Sequence, residues 1–313
     1  MKQKVKIDHK EPDKLADPLV SIIVITYNSA EYVLETLEST KAQTYQNIEL
    51  IVSDDCSTDN TVEICRKWIE KNKERFVRTK LITVPENTGI PANCNRGVKD
   101  AQGEWVKLIA GDDVLIKSCI QDNVNFISAN HEIYILFSGG SIYSESFKPE
   151  NYISDFPSKE KVDYIFSNLS TAANQFKELQ NNNFVEAPTA FIRKEVYKIV
   201  GFYDEKYKLI EDYPLWLRLT KLGMKIFYMD TLTVLHRIHT QSLTGNNQIV
   251  SNYFFDLESV KKDYIYPYSS RGYLLKNKTK YYALKFVARI FRNKKNRIST
   301  TIIELIFRLN PFK

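Results

Sequence analysis

The sequence predicts an α/β fold, with a mostly parallel central sheet, helices on both of its faces, and a helical, basic C-terminal extension. Three observations carry that reading. Continuous β-branched runs alternate with helical patterns from Leu19 to Ile109, the spacing of βαβ units. Each run stops at a polar cluster. From about Tyr281 the periodicity becomes helical and the charge becomes strongly basic.

In chain order, residues 1–17 are polar, contain Pro12 and read as a flexible lead-in without the apolar core of a leader peptide. Leu19–Ile25 is apolar throughout, as expected of a strand covered on both faces, and ends at Thr26-Tyr27-Asn28-Ser29. A helical pattern through Val33, Leu34 and Leu37 follows. Ile48–Val52 is the second strand, ending at Ser53-Asp54-Asp55-Cys56-Ser57, and its helix carries Val62, Ile64, Cys65, Trp68 and Ile69. Thr79–Val84 is the third, leading through Pro85-Glu86-Asn87-Thr88-Gly89 to a helix that reaches about Ala101. Glu104–Ile109 is the fourth, and delivers Ala110-Gly111-Asp112-Asp113.

Beyond Asp113 a helix is expected through Ile116, Ile120, Val124 and Ile127. A strand at 133–137 then ends at Gly139-Gly140, and an irregular polar stretch covers 144–183. Pro188–Ile192 reads as a strand, and Glu211-Asp212 opens a helix because Pro214 is tolerated only in a first turn. Lys225–Met229 is a short strand, followed by a polar loop beginning at His236. In an open parallel sheet, ligands bind outside the carboxyl ends of the strands, so Tyr27, Asp55, Asn87 and Asp112-Asp113 are expected to converge on one rim.

Bulk properties narrow the classes. No apolar run approaches the roughly 20 residues that span a bilayer. The four cysteines, Cys56, Cys65, Cys94 and Cys119, lack metal-type spacing and are too few for a disulfide framework, which points to a reducing, cytoplasmic setting. The net charge of +6 is unevenly placed: residues 276–313 carry +10 and the remainder −4. The mildly acidic body offers no wide basic face for nucleic acid. The basic, amphipathic tail instead suits an anionic membrane surface at the inner face of the plasma membrane, or packing on the body.

Paired carboxylates after a buried strand suit a hard divalent cation that also holds phosphates, although an isolated acidic turn also serves as a helix cap. Together, the motifs resemble those of family 2 glycosyltransferases, which have the GT-A fold and use nucleotide-diphosphate sugars. Val20–Asn28 is similar to the family's first strand and nucleotide loop, and Asp54-Asp55-Cys56-Ser57-Thr58-Asp59 to its D-D-x-S-x-D element. Asn87-Thr88-Gly89, Asn95-Arg96-Gly97 and Gly103-Glu104 resemble the run before the metal motif. Glu211-Asp212 resembles the catalytic-base element, and Arg237-Ile238-His239 with Ser242 a downstream R-x-H-x-x-S. Two departures stand out: Ala110 where an additional Asp is common, and Cys94 where many members carry Arg.

The resemblance covers about 18–245, split into a nucleotide-sugar half near 18–115 and an acceptor half near 116–245, with 246–313 as the extension. It implies an inverting transfer from a nucleotide sugar, UDP-linked, to a glycan or lipid-linked glycan in bacterial surface polysaccharide synthesis. Asp212 is then the general base. Thr26, Tyr27, Asn28, Asp55 and Asp112 hold the donor, with Tyr27 stacking on the base and Asp55 accepting a base N–H. Asp113 and His239 bind Mn²⁺ or Mg²⁺. Two other readings remain open at this point: a nucleotidyltransferase, whose usual glycine-rich loop after the first strand is missing, and a non-catalytic sugar- or lipid-binding module on the same fold.

Overall fold

The computed structural model describes residues 17–130, 132–239, 249–294 and 296–308. Most of the lead-in, Ser242 with the loop around it, Lys295 and Leu309 lie outside the described residues.

The first half is built as the alternation predicts: β1 (Val20–Thr26), α1 (Val33–Lys41), β2 (Ile48–Asp54), α2 (Thr61–Asn72), β3 (Arg78–Thr83), α3 (Ile90–Asp100) and β4 (Trp105–Ala110). These four strands are parallel in the order β3-β2-β1-β4. Alternate residues of each strand feed opposite faces. Ile23, Ile51 and Val106 pack with Cys94 and Val98 of α3 on one face. Ile22, Val24, Leu50 and Ile109 pack with Leu37 of α1 and Trp68 of α2 on the other. The sheet is therefore buried from both sides, which is why its strands lack polar alternation.

The second half departs from the simple pattern. β5 (Val114–Leu115) replaces the helical start expected after Asp113, and pairs with the last strand. Helix α4 (Cys119–Ser128) begins only after Ser118. Asp113 is thus not a helix cap. β6 runs Ile135–Ser144, straight through Gly139 and Gly140. A Cβ on Gly140 would lie 2.4 Å from the Phe156 ring, so here the glycine admits an aromatic side chain over the strand instead of ending it. The stretch expected to be irregular contains β7 (Tyr152–Phe156), α5 (Lys159–Asn168) and α6 (Ala172–Leu179). β8 (Phe191–Arg193), α7 (Lys194–Val200) and α8 (Asp212–Lys221) follow. β9 (Phe227–Ile238) is far longer than the expected short strand, and carries His236 and Arg237 inside the sheet.

All nine strands join one curled sheet, ordered β3-β2-β1-β4-β8-β6-β9-β5 with β7 beside β6. The antiparallel β8 links the parallel half to β6 and β9, which swings the end of β9 toward the end of β4. The extension is helical: α9 (Asn252–Val260), α10 (Arg271–Ile290) and α11 (Arg297–Arg308). Leu284 and Ala288 of α10 are buried with Val250 in a small core of their own. No helix among the described residues is long and apolar enough to cross a membrane.

Candidate functional site

The carboxyl ends of β1, β2 and β4 open into a cleft of about 550 Å³ whose walls include Thr26, Tyr27, Asn28, Asp55, Asn87, Asp112 and His239. Several strand-end residues singled out from the sequence therefore do share one rim. The first wall is stitched together by short polar side chains. Thr26 donates to Asp54 Oδ2 at 2.8 Å, and Asp54 also accepts the Ser57 backbone N–H at 2.8 Å. Asn28 sits at φ +52°, a left-handed turn that Asn tolerates. Its N–H donates to Ser57 Oγ and its Oδ1 accepts the Thr58 N–H, both at 2.8 Å. The Asp-rich motif is thus largely a scaffold for the turn after β1. Tyr27 stands on that turn half exposed, with its ring free to stack.

Asp55 is more occupied than its expected role requires. Its carboxylate accepts Thr88 N–H (3.0 Å), Thr88 Oγ1–H (2.7 Å), Gly89 N–H (2.8 Å) and the Arg96 guanidinium (2.6 Å). Burial alone would raise its pKa, yet the donors from Thr88, Arg96 and Gly89 hold it below the usual carboxylate range. Each oxygen already has two partners, so Asp55 anchors the loop after β3 before any ligand arrives.

The acidic turn splits its two carboxylates. Gly111 lets the turn lie against β1: its N–H donates to Ile25 O at 2.9 Å, and a Cβ there would lie 2.8 Å from Thr26 Cγ2. Asp112 faces the cleft, with His239 Nε2 at 3.1 Å from Oδ2. Asp113, expected from the sequence to be the first metal ligand, points inward and is 1% exposed. Its Oδ1 accepts the Arg237 N–H at 2.9 Å and meets His236 Nδ1 at 3.0 Å. Arg237 is itself buried between the rings of Tyr32 and Phe147, at 4.6 and 4.1 Å, and its Nε donates to Asp112 O at 2.8 Å. Burial and the adjacent Asp113 charge raise the Asp112 pKa, and His239 offsets part of that.

Among the described residues no three His, Cys, Asp or Glu side chains gather into a metal cage. The pair Asp112–His239 nevertheless presents one hard oxygen and one imidazole nitrogen on the cleft wall. That donor set fits a divalent cation whose remaining positions are filled by phosphate oxygens and water, and the imidazole favours Mn²⁺ over Mg²⁺.

Asp212 does not line this cleft. It opens α8 and accepts from Asn183 Nδ2 at 3.0 Å. A helix N-terminus favours an ionised carboxylate, but burial wins here and raises the Asp212 pKa, against the pull of Asn183 and the Tyr213 N–H. Burial and then the Asp212 charge push Glu211 up to about 8. The charge of Glu186 bears on both Asp212 and His236. Lys208 and Leu209 also line the cleft, and nothing in the sequence pattern singles them out. Arg96, named from the sequence only as part of Asn95-Arg96-Gly97, reaches Asp55 with its guanidinium, while Cys94, at the position where Arg was noted as missing, is fully buried.

Comparison with known proteins bears on the family and the fold. The model of the family described as Glycosyl transferase family 2 matches residues 21–201. An uncharacterized glycosyltransferase of Haemophilus influenzae is 31% identical over 73% of this chain and 83% of its own length. The Escherichia coli protein WfaP, a UDP-Glc:alpha-D-GlcNAc-diphosphoundecaprenol beta-1,3-glucosyltransferase, is 29% identical over 73% of this chain and 80% of its own. Among solved structures, S. aureus TarS 1–349 in complex with UDP-GlcNAc is similar at a TM-score of 0.57 and 21% identity, over 78% of this chain and 65% of that one. The mannosyltransferase PcManGT from Pyrobaculum calidifontis, in complex with GDP-Man and Mn²⁺, is similar at 0.53 and 17% identity, over 96% and 73%. At those identities the two structures speak for the fold.

Proposed function

The chain belongs to glycosyl transferase family 2, and on that premise we propose that it is an inverting, metal-dependent enzyme moving a sugar from a UDP-linked donor to a hydroxyl of a glycan or lipid-linked glycan. The observation that carries this reading is the cleft that joins the Thr26–Asn28 turn to the Asp112–His239 pair. The TarS complexes with UDP and UDP-GlcNAc and the WfaP activity support the donor class and a place in surface polysaccharide synthesis.

Tyr27 stacks on the nucleobase, and Thr26 and Asn28 shape the turn beside it. Asp112 and His239 would hold the Mn²⁺ or Mg²⁺. That ion supplies Lewis-acid stabilisation of the diphosphate leaving group. Asp113 keeps Arg237 and His236 in place behind them. Asp212 takes the acceptor proton as the hydroxyl attacks from the face opposite the leaving group, which inverts the anomeric centre. Burial raises both carboxyls of the Glu211–Asp212 pair, so the pair takes up a proton more readily than either group would in water.

The helical extension fits an acceptor presented at a cytoplasmic membrane face. Leu284, Val287 and Ala288 of α10 are buried, whereas Leu275, Tyr282, Phe286 and Ile290 stand exposed along a single stripe. Lys278, Lys285 and Arg289 flank that stripe, and the helix contains no acid. A second copy of so basic a helix would be repelled; an anionic lipid surface satisfies both the charge and the aromatic stripe.

Titrating the protein with UDP-, GDP- and dTDP-sugars in Mn²⁺, scored by thermal shift and by donor hydrolysis, tests the assignment. UDP-sugars are expected to stabilise the protein and turn over, and Asp212→Asn to abolish transfer while donor binding persists. If no nucleotide sugar raises the melting temperature, the donor-site reading is wrong.

A further inference from the structure

We infer that the C-terminal extension forms part of the donor site: Asp256 of α9 holds Lys208 in place, and Lys208 reads the nucleobase edge. The inference rests on the donor-cleft reading above.

Lys208 and Leu209 line the same cleft as Tyr27 and Asp112. Their backbone N–H groups donate to a single oxygen, Asp256 Oδ2, at 2.7 and 2.8 Å. On the other side, Lys208 O accepts the Ile90 N–H at 2.9 Å and Lys208 Nζ donates to Thr88 O at 3.0 Å. The fit there is close. A Cβ on Gly89, whose φ is +95°, would lie 2.8 Å from Lys208 O, so the segment seats on the loop after β3 only because residue 89 has no side chain. The extension grips the neighbouring residues as well: Tyr207 donates to Asp263 Oδ2 at 2.8 Å, and Tyr264 donates to Asp204 Oδ2 at 2.7 Å. Residues 204–209 are therefore held between the donor loops and the extension, just before Glu211-Asp212.

The position of Lys208 says which part of a donor it meets. Its Nζ holds Thr88 O, and Thr88 and Gly89 donate to Asp55 just past the end of β2, two strands away from Asp112 at the end of β4 in the order β3-β2-β1-β4. Adjacent strands are about 4.8 Å apart, which separates the two ends by about 10 Å, on the order of the span from a nucleobase to its diphosphate. With Asp112 at the diphosphate end, Lys208 addresses the base. Asp55, the residue expected to read the base, already has four protein donors. An ammonium has three hydrogens and needs only one for Thr88, so donors remain for an oxygen acceptor. A keto oxygen, as at uracil O4 or guanine O6, accepts from Lys208. The amino group at the same place in cytosine or adenine cannot.

Calorimetric titration with two keto/amino pairs, UDP against CDP and GDP against ADP, tests this on the full chain. The wild type is expected to prefer the keto member of whichever pair binds by about tenfold or more, the range of a hydrogen bond from a charged donor. Lys208→Met should erase that preference by weakening the keto nucleotide while leaving the amino one unchanged. Asp256→Ala should act in the same direction, and the double variant should be no worse than Lys208→Met alone, since Asp256 acts through Lys208. Asp256→Asn should restore near-normal discrimination, because its amide oxygen can accept both N–H groups. The inference is overturned if Lys208→Met binds the keto nucleotide as the wild type does, or if keto and amino nucleotides weaken equally. A wild type that binds no nucleoside diphosphate would instead overturn the donor-site reading, and this inference with it.

Discussion

Asp112 and Asp113 are neighbours in sequence with opposite environments, so removing one should cost binding and removing the other should cost stability. In Asp113→Ala, the buried Arg237 N–H and His236 Nδ1 lose an acceptor at 2.9 and 3.0 Å inside a site that is 1% exposed. An orphaned buried donor costs about 1–3 kcal/mol, and a lost hydrogen bond to a charged group about 1.5–3 kcal/mol, for a total of about 2.5–6 kcal/mol. At about 2–4 °C per kcal/mol, the melting temperature should fall by about 5–24 °C. Asp112→Ala removes a cleft-facing carboxylate that meets His239, and should change stability by no more than about 1 kcal/mol. Thermal melts of both variants, followed by UDP titrations with and without Mn²⁺, separate the two roles. Asp112→Ala should melt near the wild type and lose the Mn²⁺-dependent gain in UDP affinity. If Asp113→Ala melted normally and lost that gain while Asp112→Ala kept it, the assignment would be reversed and the inward position of Asp113 would not describe the working site.

Glu211 provides a test through pH. Its folded-state pKa is pushed up to about 8 from an ordinary 4.5, so the folded chain keeps a proton that the unfolded chain releases, and stability should fall as pH rises from 4.5 toward 8. Glu211→Gln should flatten that slope in urea denaturation at pH 5 and pH 8; an unchanged slope would place the proton elsewhere. The exposed stripe of α10 is tested by replacing Tyr282, Phe286 and Ile290 with Ser, which spares the buried Leu284, Val287 and Ala288. Flotation with phosphatidylglycerol vesicles should be lost in this variant and weakened by salt in the wild type. Equal flotation of the two proteins would show that the stripe is not the contact.

The parallel half was legible because its information is local. Ile22 and Ile51 need burial on opposite faces of one sheet, and a continuous β-branched run states that need directly. The glycosyltransferase family was legible for a similar reason: the motif residues sit at successive strand ends, whose order the alternation fixes. The second half was harder, because distant contacts decide it. Gly139-Gly140 reads as a stop until Phe156 is known to lie over it, and His236-Arg237 reads as a loop until β6 is known to extend far enough to pair with it.

The same reasoning explains why the sequence identified the acidic pair but could not rank its members. Two adjacent carboxylates at the end of a strand must point in different directions, so one of them meets the cleft and the other meets the protein. Which does which depends on what lies behind the turn. Here that is Arg237, more than 120 residues later in the chain, whose N–H takes Asp113 and whose guanidinium takes the Asp112 carbonyl. The extension poses the same problem elsewhere in the cleft. Lys208 is an ordinary surface lysine by sequence, and Asp256 an ordinary helix acid. Only the fold, which brings α9 against the loop before α8, gives the two a joint bearing on the donor cleft. Local sequence thus specified the chemistry that gathers at the rim, while long-range pairing specified which atoms of that chemistry face a ligand.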